Sequence, residues 1–264
     1  MKRQNRTALI TGASAGIGAT FARFLANEGY DLLLVARRAE RLEALAVELT
    51  SQHGIRCEIF AADLTQTSAP AEIMAYAQAQ GLQIDVLINN AGLSGKDAFA
   101  DTPWTALADE IQLMVTAVTE LCHRVIPEMK RKGWGRIINL SSIAAFSPPG
   151  ASLLYTGIKS YVLDISQSLD MELKPQGIHV TALCPGFTHS EFHDIMGTRN
   201  QASKIPNILW QQPQDVVSEG WAAVMKGKPV CVPGTVNKLI ASSVRPLPVS
   251  LQYHLGNRLN PFKN

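Results

Sequence analysis

Apolar and polar positions along the chain fall into two alternating rhythms. Short, largely apolar runs occupy residues 7–10 (TALI), 30–36 (YDLLLVA), 55–61, 84–88 (IDVLI), 135–140 (GRIINL), 178–183 (IHVTAL) and 229–232. A strand buried on both faces reads this way. Between them lie stretches with apolar residues three and four apart, at 19–29, 39–53, 68–81, 109–132, 155–174 and 213–226. In 39–53 the stripe is Leu42, Leu45, Ala46 and Leu49, and Gly54 is the stop. The pattern predicts about seven strands alternating with helices. Strict alternation implies an α/β fold: a three-layer, doubly wound parallel sheet with helices on both faces.

Ligands of such sheets bind outside the carboxyl ends of the strands, so the residues just after each strand are the informative ones. Here they are residues 12–18, Arg37 and Arg38, Asp63 and Leu64, residues 89–92, Ser141 and Ser142, and Pro185 and Gly186. The first turn, TGASAGIG, spaces its glycines G-x-x-x-G-x-G. Glycine lets a backbone turn tightly and approach a ligand closely. The helix that follows aims free N–H groups and a positive dipole end at the turn, where a diphosphate fits.

The chain has 264 residues, a length that suits one large α/β domain. Its net charge of +2 and lack of any basic block leave no electrostatic footprint for nucleic acid. Cys57, Cys122, Cys184 and Cys231 form no C-x-x-C pair. They read as buried free thiols in a reducing, cytoplasmic setting, and a zinc site is not expected. The basic N-terminus is followed by too short an apolar run for a signal peptide. No run of about 18 apolar residues predicts a transmembrane helix.

Taken together, the post-strand residues resemble the short-chain dehydrogenase/reductase family over roughly residues 7–232. The motifs are TGASAGIG; Asn89-Asn90-Ala91-Gly92 after the fourth strand; Ser142, thirteen residues before Tyr155; Tyr155-x-x-x-Lys159; and Pro185-Gly186 after the sixth strand. The resemblance implies a Rossmann-type domain over 1–233 and a hydride-transferring oxidoreductase with Ser142, Tyr155 and Lys159 as catalytic residues. It implies a dinucleotide held by Gly12, Ser14, Gly16, Ile17, Gly18, Asp63, Leu64, Asn90, Ala91, Gly92, Tyr155 and Lys159. Asp63 would take the adenine amino group, Asn90 and Ala91 the adenosine ribose, and Pro185, Gly186 and Thr188 the nicotinamide. Homodimers or homotetramers built on the long helix and the Tyr155 helix are the family habit.

The chemistry has its own logic. Tyr155 and Lys159 share a helix face. A free tyrosine titrates near pH 10, and a neighbouring cation lowers that value. Lys159 is expected to supply the charge, so that Tyr155 exchanges a proton with a carbonyl or alcohol oxygen that Ser142 holds. The second strand ends in Ala36, where an acidic side chain would accept the ribose hydroxyls of NAD, and Arg37 and Arg38 follow. A guanidinium pairs with a 2′-phosphate that a carboxylate would repel. NADP(H) is therefore the expected cofactor, with Arg37 the main contact and Ser14 a second.

Thr188 stands where the family usually has an aliphatic residue and Ser190 where it usually has threonine, and a further departure touches the proton relay. Many members carry an asparagine about 28 residues before the catalytic serine, where it helps hold a water of a proton relay. Here that position is Met114, which accepts hydrogen bonds only weakly. A main-chain carbonyl could hold the water if the helix were locally opened. The substrate wall is expected from residues 93–104, 144–154 and 187–210. Phe99, Trp104, Phe146, Leu153, Phe187, Phe192 and Trp210 make it largely apolar, while His189 and His193 read as solvated loop residues. Such a wall suits a small apolar ketone, aldehyde, acyl or steroid-like carbonyl, or the matching alcohol. Residues 234–264 read as an amphipathic helical extension packed on the domain or a partner subunit, with a membrane surface as the weaker reading. The alternative to an enzyme is an NADP(H)-binding protein with little turnover, supported by Met114 alone.

Overall fold

The structure, a computed structural model, describes residues 6–93, 99–146, 153–189 and 206–244, together with 248, 250, 251 and 254. Six parallel strands follow the predicted runs: β1 (Thr7–Thr11), β2 (Asp31–Ala36), β3 (Cys57–Ala61), β4 (Ile84–Asn89), β5 (Gly135–Leu140) and β6 (Ile178–Leu183). Two short strands, β7 (Phe187–Thr188) and β8 (Trp210–Gln211), form a separate parallel pair, and β9 (Val230–Cys231) closes the main sheet. The seven-stranded order is β3-β2-β1-β4-β5-β6-β9, every pairing parallel. The helices are α1 (Gly16–Asn27), α2 (Ala39–His53), α3 (Ala69–Ala79), α4 (Trp104–Ile111), α5 (Ala117–Lys132), α6 (Leu153–Leu173), α7 (Pro213–Met225) and α8 (Thr235–Val244).

Alternate side chains of each strand feed different cores, as the pleat demands. Ala8, Ile10, Leu32 and Leu34 pack with Phe21, Leu25, Leu42, Leu49, Val216 and Trp221 of α1, α2 and α7. Leu9, Leu33 and Val35 pack with Ile73, Leu121, Val125, Ile158 and Val162 of α3, α5 and α6. Both faces are therefore covered, and the polar side chains the strands carry lie mainly toward their ends, as with Thr7, Thr11, Asp85 and Asn89. The expected doubly wound sheet is what the chain forms.

Two expectations change. The helix expected at 109–132 begins earlier, at Trp104, and is interrupted by a π turn at Gln112–Thr116, where Ala117 N–H reaches back to Gln112 O. Trp104 thus opens a helix and is 70% exposed, rather than part of a closed wall. The β7–β8 pair was not visible as periodicity, because two residues per strand carry no pattern. Cys122, Cys184 and Cys231 are buried free thiols and Cys57 a half-buried one. Among the described residues no helix is long and apolar enough to cross a membrane, and no cluster of metal-ligating side chains occurs.

At the amino edge of the sheet, Asp85 joins three elements. Its carboxylate accepts from Thr7 N at 3.0 Å and from Lys132 Nζ at 2.5 Å, tying β4 to β1 and to the end of α5. Asp85→Ala leaves a buried N–H without an acceptor. It is expected to cost about 2–4 kcal/mol, read as a lower midpoint in urea denaturation.

Candidate active site

The strand order reverses between β1 and β4, and the site is built at the carboxyl ends of those two strands. Thr11, 1% exposed, ends β1. Its hydroxyl accepts from Asn90 N at 3.0 Å and Ala91 N at 3.1 Å, and donates to Ile88 O at 3.4 Å. One hydroxyl has one proton and two lone pairs, so Thr11 is fully used. Asn90 Nδ2 returns the contact, donating to Thr11 O at 2.9 Å and Gly12 O at 3.2 Å. The glycine turn and the Asn-Asn-Ala-Gly turn are thus one clasped unit.

Gly12 and Gly16 have φ of 65° and 54°, the left-handed region that side chains avoid. A Cβ at Gly18 would stand 2.5 Å from Asn90 Nδ2 and collide with the Gly12 carbonyl. So glycine here is dictated by the turn and by the approach of the clasp. The first turn of α1 has no side-chain cap and no acidic residue. Its N–H groups, around Gly16, Ile17 and Gly18, are left for an anion. A dinucleotide diphosphate fits that donor set.

The end of β2 brings the two arginines to different partners. Arg38 donates to Ser14 Oγ from Nη2 at 3.0 Å and from Nε at 3.3 Å, so it leans onto the glycine turn. Arg37 lies exposed, with Nη1 3.9 Å from Asp63 Oδ2. Asp63 also accepts from Thr65 N at 3.0 Å, and Leu64 is buried beneath. Arg37, Arg38, Ser14 and Asp63 therefore lie around one end of the glycine turn.

At the other end, β5 delivers Ser142 and α6 delivers Tyr155 and Lys159. Ser142 stands beside the Tyr155 hydroxyl, where it favours the phenolate, and its Oγ accepts from Ala144 N at 3.1 Å. Lys159 is 6% exposed, with Nζ donating to Leu140 O at 2.8 Å and standing 5.4 Å from the Tyr155 ring centre. Burial lowers the Lys159 pKa to about 8. Burial also raises that of Tyr155, against the opposing pull of Ser142. This differs from the expectation that Lys159 depresses the tyrosine. The ammonium is engaged by a carbonyl, and desolvation of the phenol wins.

Three supports take roles that the sequence did not assign them. Ser141 Oγ donates to Lys159 O at 2.6 Å and holds α6 against the end of β5. Asn89 Nδ2 donates to Asn139 Oδ1 at 2.9 Å, and Asn139 Nδ2 to Ser166 Oγ at 3.0 Å, which joins β4, β5 and α6 through the core. The third is the π turn, which places buried Met114 beside the site. A Cβ on Gly92 would stand 3.4 Å from Met114 Sδ and 3.9 Å from Lys159 Nζ. The opened helix that a main-chain water site would require is thus present at Met114.

Pro185 and Thr188 are buried and Gly186 half-buried, with Thr188 Oγ1 donating to Gly186 O at 3.1 Å. Of the expected apolar wall, Phe187 and Trp210 pack ring to ring at 5.7 Å. His189 is exposed yet stacks on Trp210 at 4.8 Å, so it is more than a solvated loop residue. Phe99 is 55% exposed, and Phe146 half-buried. Phe192 and His193 lie outside the described residues, as does the Leu153 side chain. The clasp makes a direct prediction. Thr11→Val should cost about 2–4 kcal/mol and abolish hydrogen-exchange protection at the Asn90 and Ala91 amides, measured by NMR.

Comparison with known proteins agrees with this architecture. The family described as short chain dehydrogenase matches residues 6–200. A serine 3-dehydrogenase of Agrobacterium fabrum is 37% identical over 200 residues, 74% of this chain and 77% of that protein. A short-chain dehydrogenase of Sphingobium yanoikuyae, solved in complex with NADPH, superposes with a TM-score of 0.81 at 33% identity, covering 90% of this chain and 92% of the other. A bulky-bulky ketone specific alcohol dehydrogenase of Comamonas testosteroni superposes at 0.77 with 30% identity, covering 91% and 92%. With its parallel sheet, clasped glycine turn and Ser142–Tyr155–Lys159 cluster, the chain belongs to the short-chain dehydrogenase family, oxidoreductases that interconvert alcohols and carbonyls.

Proposed function

We propose that the chain is an NADP(H)-dependent reductase of apolar ketones or aldehydes, working in reverse as an alcohol dehydrogenase. The observation that carries the proposal is the meeting of the Tyr155 hydroxyl with Ser142, above the buried Lys159. Ser142 and Tyr155 would together grip one substrate oxygen, Ser142 orienting it and Tyr155 exchanging its proton. Burial keeps Tyr155 protonated at neutral pH, which suits an acid for carbonyl reduction. The bound dinucleotide supplies or accepts the hydride. The grip of Arg38 on Ser14, with Arg37 beside Asp63, supports a 2′-phosphate in that corner. The NADPH complex of the Sphingobium relative points the same way.

A water on a main-chain carbonyl of the 112–116 turn would restore the proton route past Met114. The intact Ser142–Tyr155–Lys159 cluster and this opened helix weigh against a binding protein with little turnover. The Phe187–Trp210–His189 cluster supports a largely apolar substrate, and the Comamonas relative is specific for bulky-bulky ketones. A homo-oligomer through α5 and α6 is supported by Tyr161 and Met171, which α6 leaves 37% and 75% exposed.

The test is titration with NADPH and NADH by nicotinamide fluorescence, followed by a panel of apolar ketones and aldehydes. Tyr155→Phe should lower turnover by about 10²- to 10⁴-fold with NADPH affinity nearly unchanged. A retained rate would refute the mechanism. Arg37→Asp should shift preference toward NADH by about tenfold or more. Reduction should stay flat over roughly pH 6–7.5, because Tyr155 holds its proton there, while alcohol oxidation climbs over the same range.

A further inference from the structure

The helix α8 lies beyond the part of the chain that carries the motifs, yet one of its side chains reaches the site. Asn237 is 5% exposed. Its Nδ2 donates to Gln211 Oε1 at 2.9 Å and to Pro233 O at 3.3 Å. The same amide lies flat against Gly186: a Cβ there would stand 2.5 Å from Asn237 Nδ2 and 2.7 Å from Oδ1. Gln211 belongs to β8, which pairs Thr188 with Gln211 in register and accepts His189 N at 3.0 Å. So one carboxamide touches both the Pro185–Gly186 turn and β8, the strand paired with Phe187–Thr188.

The helix is itself anchored. Gly234 N donates to Glu219 Oε1 at 2.9 Å and Lys238 Nζ to Glu219 Oε2 at 2.6 Å, which ties α8 to α7. α8 also packs on the turns at Ile143–Phe146, next to Ser142, and at Asn207–Leu209. It therefore meets three segments around the reacting end of the site.

We propose that Asn237 is a positioning residue, acting through Gly186 and Gln211 to set the nicotinamide-side turn and the β7–β8 pair that follows it. The inference rests on the reading that Pro185 and Gly186 abut the nicotinamide. Gly186 has no Cβ because Asn237 occupies that space, and Asn237 fixes the turn because Gln211 and Pro233 hold its amide. The carboxamide touches neither the glycine turn nor the arginine corner, so its influence should be confined to one half of the dinucleotide.

The experiment compares two ligands. NADPH, followed by nicotinamide fluorescence, reads the whole site; 2′-phospho-ADP-ribose, followed by calorimetry, reads the same site without the nicotinamide. Asn237→Ala should weaken NADPH about tenfold and leave 2′-phospho-ADP-ribose within about twofold of wild type. Gln211→Ala should show the same split, and the double variant should be no weaker than the worse single one, since both break one contact. Equal losses on both ligands, as general destabilisation of the domain would give, overturn the proposal, and so does unchanged NADPH affinity. If Asn237→Ala does not fold, Gln211→Ala carries the comparison. The coenzyme reading is judged separately, on the wild type alone: should it prefer NADH, the same ratio is taken with NADH and ADP-ribose.

Discussion

The contact on which the site depends is the clasp between the ends of β1 and β4. Thr11 spends its whole hydrogen-bonding capacity on three main-chain groups of the neighbouring strand and turn, and Asn90 answers with its amide on Thr11 and Gly12. One of these bonds is buried and the others are half-buried, so an unmade one would cost desolvation with little returned. They fix where the glycine turn stops and where α1 begins. The uncapped first turn of α1 faces outward only because the clasp holds the chain in that register.

A second constraint acts at the other end of the site. Lys159 is buried where an ammonium is expensive, and its Nζ donates to Leu140 O while its own carbonyl accepts from Ser141 Oγ. The Asn89–Asn139–Ser166 chain then ties α6 to the two central strands. Tyr155 is placed by these bonds on its neighbours rather than by local helix geometry alone. Burial moves the pKa of the phenol up, against the opposing pull of Ser142. A charge brought in beside them by a ligand would act on a site already dry, where it counts most.

The π turn shows how a departure in sequence meets one in backbone. Met114 offers only a thioether where many relatives offer an amide, but the helix around it is widened, which frees main-chain groups from the ordinary ladder. The thioether of this side chain lies against Gly92, and Lys159 Nζ is another neighbour of that glycine. Under the proposed mechanism the polar work of the position would fall to the backbone. Read as a residue type, Met114 offers no relay group; read with its helix, it sits in a widened turn.

The apolar rhythm by itself determined the strands, the helices and the parallel, doubly wound class, since a strand covered on both faces must be apolar throughout. Motif spacing likewise marked Gly12, Ser142, Tyr155 and Lys159, because a turn, a strand end and one helix face are local matters. What only the tertiary structure decided was which turns meet. It chose Arg38 over Arg37 as the partner of Ser14, broke one long helix at residues 112–116, and paired β7 with β8 from two residues each. It also carried Asn237 back from the final helix to Gly186. Periodicity records which face of an element is buried and says nothing of what it is buried against. Those meetings are set by crossovers and packing between residues far apart in the chain.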